Sequence, residues 1–292
     1  MPFFIRSRQL LTSTTIRNLA ALSGVLLLLS PAAQAREKDG WELSFGGDLQ
    51  HFDYREYSDQ GRLLDQENGF LPGLVLGAGR TQDDWLIAGK LSYYAGGVTY
   101  TGQTNGGVPI STTTEQRITD VELLAGYQFR QMSQLTPTLY LGAANHSWRR
   151  DIQPTYTASG TPVRGLVETY RWWQAFLGTR ISLYEAQSFN WRLDDRLTRM
   201  IAPKIEVDYS GLFDTAHLNL GERWGFRLKA PLSFAVQDST TIVIEPYWDK
   251  YSLGRSSTAP LTRQGVVVGA VFEPDSNSSN YGVSLYVRKL FD

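Results

Sequence analysis

"ERWGFRLKAPLSF", residues 222–234, separates into two sets when every second residue is read. Trp224, Phe226, Leu228, Ala230, Leu232 and Phe234 form one set, and Arg223, Gly225, Arg227, Lys229, Pro231 and Ser233 the other. A period of two is the signature of a β-strand, whose successive side chains point to opposite faces. One face is bulky and apolar, and the other carries three cations. A half-buried strand of a soluble sheet also alternates, so the rest of the chain must discriminate.

The same alternation recurs along the chain. It is present in "WELSFGGDLQ" from Trp41, "WLIAGKLSYYAGG" from Trp85, "DVELLAGYQF" from Asp120 and "WWQAFLGTRISL" from Trp172. It returns in "KIEVDYS" from Lys204, "TTIVIEPYWDKY" from Thr240 and "YGVSLYVRKLF" from Tyr281. Two weaker strands fit near residues 70–79 and 138–148. With residues 222–234 they make about ten, with eight or twelve as alternatives. Segment 184–203 resists assignment, since two further strands or a short amphipathic helix both fit it. The polar connections alternate between longer ones, such as "TGQTNGGVPISTT", and shorter ones, such as "RTQDD" and "VQDST".

Length discriminates between environments. Trp224 to Phe234, Tyr281 to Phe291 and Trp173 to Leu183 each span ten steps. A tilted strand needs about ten residues to cross an apolar layer of about 25 Å. A soluble sandwich has no reason to repeat that length. Aromatics bound the bands, as in the interfacial girdles of membrane barrels. The expected girdle is Trp41, Trp85, Trp173, Trp224, Phe234, Trp248 and Phe291. The fold expected is therefore all-β, an antiparallel up-and-down transmembrane β-barrel.

Residues 1–35 read as a cleaved signal peptide. Arg6, Arg8 and Arg17 precede an apolar run at residues 19–29, and Ala33-Gln34-Ala35 is a small-x-small cleavage site. Residues 36–292 then form the barrel domain. The chain has no cysteine, which removes disulfides, lipoprotein attachment and thiolate metal sites. Its 28 basic and 29 acidic residues give no basic excess for nucleic acid. No metal site or cofactor is expected from three histidines and no cysteine.

The cations opposite the apolar ribbon would face the barrel interior, where unpaired charge is costly. Arg223, Arg227 and Lys229 are expected to meet Glu206 and Asp208 from the preceding strand and Glu245 and Asp249 from the following one. A ten-stranded barrel is only a little wider than those that side chains fill. A salt-bridged, largely plugged lumen with a structural or surface-interaction role is the first reading. A narrow polar pore for small solutes and a barrel enzyme acting on lipid or peptide are the alternatives.

Signal peptide, alternating strands, girdles and the closing "YVRKLF" resemble the outer-membrane β-barrel proteins of Gram-negative bacteria over residues 41–292. The resemblance implies outer-membrane location, both termini in the periplasm, contact with lipid and lipopolysaccharide, and handling by the barrel-assembly machinery. In that class the last strand usually ends on an aromatic; here Phe291 is followed by Asp292. Length and strand count are also similar to those of the omptin proteases. That family would require an acidic pair two residues apart and an Asp-x-His beside it. The nearest matches, Asp83-Asp84 and Asp214 to His217, have other spacings. Barrel lipases and deacylases would require His and Ser on one face, whereas His146 and Ser147 are adjacent. No catalytic residue is assigned.

Overall fold

The computed structural model describes residues 39–104, 106–129 and 137–291. The expected signal peptide and Asp292 lie outside the described residues. The strands are β1 (Gly40–Tyr57), β2 (Leu63–Gln82), β3 (Trp85–Gln103), β4 (Pro109–Gln128) and β5 (Thr138–Ile152), then the short β6 (Thr155–Tyr156) and β7 (Pro162–Val163). They continue with β8 (Leu166–Ala186), β9 (Phe189–Asp208), β10 (Ala216–Asn219), β11 (Trp224–Lys229), β12 (Leu232–Gln237) and β13 (Thr240–Leu253). The last three are β14 (Ala259–Arg263), β15 (Val266–Val271) and β16 (Asp275–Phe291).

Ten staves close into a barrel, all neighbours antiparallel. Sequential pairings run from β1 to β5, then β5 to β8 and β8 to β9. β11 and β12 together form one stave, interrupted at Ala230-Pro231, between β9 and β13. β13 pairs with β16, and β16 closes on β1 with Trp41 opposite Phe291. Among the described residues closure leaves the barrel sheet no open edge, which is what a strand structure in lipid requires. Both ends of the barrel chain, Gly40 and Phe291, sit at the rim carrying the short turns, called here the turn end. The opposite rim, the loop end, carries β6–β7, β10 and the β14–β15 hairpin.

Outward residues form the apolar belt. Trp41, Leu43, Phe45 and Leu49 of β1, and Tyr281, Val283, Leu285, Val287 and Phe291 of β16, are all exposed. Alternate residues such as Asp48, Gln50 and Ser284 are buried inside. The expected girdle residues all lie outward. Trp41, Trp85, Phe234 and Phe291 are at the turn end, and Trp173, Trp224 and Trp248 are towards the loop end. Beyond the belt the strands continue upward with polar outer faces. Asp53 and Arg55, for example, pair on the outer face of β1 at 2.9 Å.

Segment 184–203 is neither helix nor two extra strands. It is the end of β8, a turn at Gln187-Ser188, and the belt-crossing half of β9. The reason is chemical. Asp195 and Arg199 sit on its outer face and interrupt the apolar ribbon. They are held locally: Thr179 Oγ1 donates to Asp195, and Arg199 pairs with Glu222 at 3.0 Å and lies over Trp224. "KIEVDYS" is therefore the upper part of the same strand, above the belt.

Leu285 lies at the middle of its band, between Ile244 and Gly47 in register. Leu285→Arg is expected to cost about 2–4 kcal/mol on folding into lipid vesicles, and Phe291→Arg far less, because the penalty falls towards the interfaces. Equal costs at the two positions would misplace the belt.

Candidate functional site

The lumen is crossed by side chains at two levels. The lower level lies inside the belt. Arg227 on β11 donates to Asp249 on β13 at 2.6 Å and to Glu122 on β4 at 2.8 Å. Glu122 also accepts Arg196 from β9 at 2.7 Å. Lys229 binds Glu245 at 2.9 Å, and Lys90 approaches the same carboxylate at 3.8 Å. β4 lies four staves from β11, so the Glu122–Arg227 bond spans the lumen. Asp48 accepts from Ser284 and, at 2.8 Å, from Tyr247. The bare Gly282 permits that contact, because a Cβ there would meet the Tyr247 hydroxyl at 2.7 Å. A cavity of about 30 Å³ remains at this level, while cavities of about 170 and 230 Å³ open below it towards the turn end.

Of the residues expected in this network, Arg227, Lys229, Glu245 and Asp249 meet as cross-strand pairs. Glu206 and Asp208 do not join them. The stave facing β11 is the 194–199 part of β9, not residues 204–208. Glu206 lies half-buried on the outer face of β9 with His217 at 3.8 Å, and Asp208 caps the amide of Ser210. Arg223 leaves the lumen for Asp275 at 3.1 Å, at the loop end. Glu122 and Arg196 take the vacated roles.

Between the two levels lies an aromatic layer. His146 bonds Asp120 at 2.7 Å and stacks on Trp172 at 3.9 Å. Ser147 points away from it on the other face of β5 and does not meet the Asp–His pair. Phe52, Leu71, Trp148, Tyr170, Met200 and Tyr251 pack around it as the core.

The upper level lies above the belt, at the loop end, and centres on Arg150. Alternation on β5 turns Trp148 and Arg150 inward. Arg150 is buried and donates to Glu168 at 2.6 Å, to Glu56 at 3.0 Å and to Glu67 at 3.0 Å. Its guanidinium lies 4.4 Å from the ring centre of Tyr54, a favourable seat for a desolvated cation. Glu67 is also held by Thr114 at 2.7 Å and Gln116 at 2.6 Å, and Gln116 in turn accepts Trp148 at 2.6 Å. Tyr170, stacked on Trp148, donates to Glu273 at 2.5 Å. Asp65 lies against Glu56.

Four buried carboxylates and the partly buried Asp65 thus face one arginine. Burial pushes Glu273 well above the usual carboxylate range, with Glu56 and Glu168 adding repulsion. Burial and Glu56 raise Asp65 likewise. Glu168 is pushed up to about 7 by burial, Arg150 offsetting part of the rise. A carboxyl with a raised native pKa stabilises the fold in its protonated form. That contribution is fully present below about pH 4.5 and is lost as pH rises through the native value, about 7 for Glu168. The guanidinium midpoint is therefore expected to fall between about pH 5 and about pH 8. A chelator should be present, so that no stray metal neutralises the carboxylates. A flat midpoint would mean that water already solvates them.

The residues nearest to omptin and lipase patterns serve other ends. Asp83 occupies the β2–β3 turn with a positive φ of 56°. Asp214 accepts the amides of Gln264 and Gly265 at 2.9 Å, pinning the turn of the β14–β15 hairpin. They sit at opposite rims. The Arg150 cluster is the feature that sequence reading missed. Its available signal is that β5 keeps alternating past the belt, placing an arginine among inward aromatics.

No family model and no curated protein matches the chain. Solved structures do. The outer membrane protease OmpT of Escherichia coli superposes with a TM-score of 0.60 at 11% identity, covering 90% of this chain and 100% of that one. The translocator domain of the autotransporter NalP from Neisseria meningitidis gives 0.44 at 10% identity, covering 95% of each chain. Neisserial surface protein A gives 0.33 at 12%, covering 88% of this chain and 100% of that one. At 11% identity the likeness to the protease concerns architecture alone, a closed antiparallel barrel of the outer-membrane kind.

Proposed function

We propose that the chain is an integral outer-membrane barrel with a sealed lumen and a structural or surface-interaction role exercised at its loop end. The observation that carries this reading is the cross-lumen bridge Glu122–Arg227–Asp249, with Arg196 and Lys229–Glu245 beside it. Cations and anions alternate there, and charged groups matched in this way fill a lumen rather than line a single-sign filter. The belt and girdles contact lipid and lipopolysaccharide, and the barrel-assembly machinery inserts the chain. With the turn end in the periplasm, both termini lie there, and the Arg150 level stands outside the membrane.

Cell fractionation tests the placement. The protein is expected in outer membranes, and as a compact, faster-migrating band in SDS without boiling, because a closed barrel has no free edge at which to unzip. Recovery in the soluble periplasmic fraction would overturn it.

A further inference from the structure

The loop-end cluster holds more negative charge than Arg150 balances. Glu67 is fully engaged by Thr114, Gln116 and Arg150. Glu168 spends one oxygen on Arg150 and Tyr170, and Glu273 spends one on Tyr170. The second oxygen of each stands outside those bonds. Glu56, Glu168 and Glu273 are all buried, and their carboxylate ligand atoms lie within 4.8 Å of one another. Atoms that close can share one ion, and a set of three or more protein carboxylates suits calcium, whereas magnesium is usually held by one or two carboxylates and keeps its waters. The backbone of Glu273 is fixed in advance, its amide donating to Ser256 Oγ at 2.8 Å while Ser256 N donates back at 2.9 Å.

Asp65 adds a separate observation. Its carboxyl reaches the cluster from β2 beside Glu56, and its Oδ1 is buried with no hydrogen-bond donor. A buried carboxylate oxygen without a partner is costly, and a cation at the cluster would supply one. All donors are hard oxygens, which suit calcium rather than a transition metal.

We propose that Glu56, Glu168 and Glu273 bind a calcium ion at the loop end, with Asp65 closing the site. The ligands come from β1, β8 and the segment between β15 and β16, so the ion ties distant staves to the long hairpin connection. Arg150 does not compete for the ion. It takes up one oxygen each of Glu56 and Glu168, as outer-shell partners hold ligating carboxylates.

The test uses the full barrel, refolded in detergent and stripped with EDTA, then titrated with Tb³⁺ under tryptophan excitation. Trp148 stacks on Tyr170 at 4.7 Å, and Tyr170 bonds both Glu168 and Glu273, so an ion there would be sensitised. Emission should saturate at about one equivalent and be displaced by Ca²⁺ but not by equal Mg²⁺. Glu273→Gln should weaken Ca²⁺ competition about tenfold or more, and Asp53→Asn, a half-buried carboxylate on the outer face of the same strand as Glu56, should not. Should Glu273→Gln fail to fold, Asp65→Asn gives the same reading. Absent emission in the unmodified protein, or Ca²⁺ affinity unchanged in folded Glu273→Gln or Asp65→Asn, would overturn the site.

Discussion

Arg150→Ala is expected to cost the folded barrel about 3–5 kcal/mol, the loss typical when one partner of a buried charge network is removed. Three carboxylates, Glu56, Glu67 and Glu168, lose their cation at once. Glu67 is the most sensitive of them, being completely buried and placed by two further side chains. The truncation also empties the seat on the Tyr54 ring, removing packing as well as charge. Denaturant unfolding in detergent micelles measures the loss. It should shrink on acidification, because protonated carboxyls need no counter-ion, and the double variant with Glu67→Gln should recover part of it. A loss under about 1 kcal/mol would place the cluster in water, where ion pairs count for little.

The belt was legible in the sequence and the loop-end site was not, for physical reasons. Lipid demands an apolar residue at every second position over a fixed length, and Trp224 to Phe234 displays that demand in one uninterrupted stretch. The same rule misleads where a strand breaks it. Asp195 and Arg199 face outward on β9, so the local pattern of segment 184–203 no longer reads as a crossing. Misplacing that crossing shifted the neighbour of β11 by about ten residues, which is why Glu206 and Asp208 were expected beside Arg227 and Lys229, where Arg196 and Asp194 stand. Inside the lumen, alternation tells which face a charge takes, not which stave it meets across the barrel. Arg150 and Glu67 are 83 residues apart, and Arg150 and Glu56 are 94. Glu56, Glu67, Glu168 and Glu273 each sit near a polar connection and resemble ordinary solvated carboxylates one by one. Only closure of the ring brings them to one arginine.

Arg227→Ala probes the lower level in the same way, with a second readout. The side chain is the only bridge from Asp249 to Glu122 among the described contacts. Its loss strands Asp249 and leaves Arg196 as the hydrogen-bonding cation of Glu122. In a dry plug this should cost several kcal/mol, about 3 or more, measured by unfolding in lipid vesicles. In a wet pore, screening would reduce the cost to about 1 kcal/mol or less. The two interiors also differ electrically. A lumen pinched to a cavity of about 30 Å³ between matched charges should pass no steady current in planar bilayers. The unmodified protein is therefore expected to be silent. The variant should be less stable and show at most brief openings, since removing one guanidinium widens the constriction but leaves Lys229, Glu245 and the aromatic layer above in place. Steady conductance in the unmodified protein, with its ion selectivity moved towards cations by the loss of the Arg227 charge, would replace the plug with a channel.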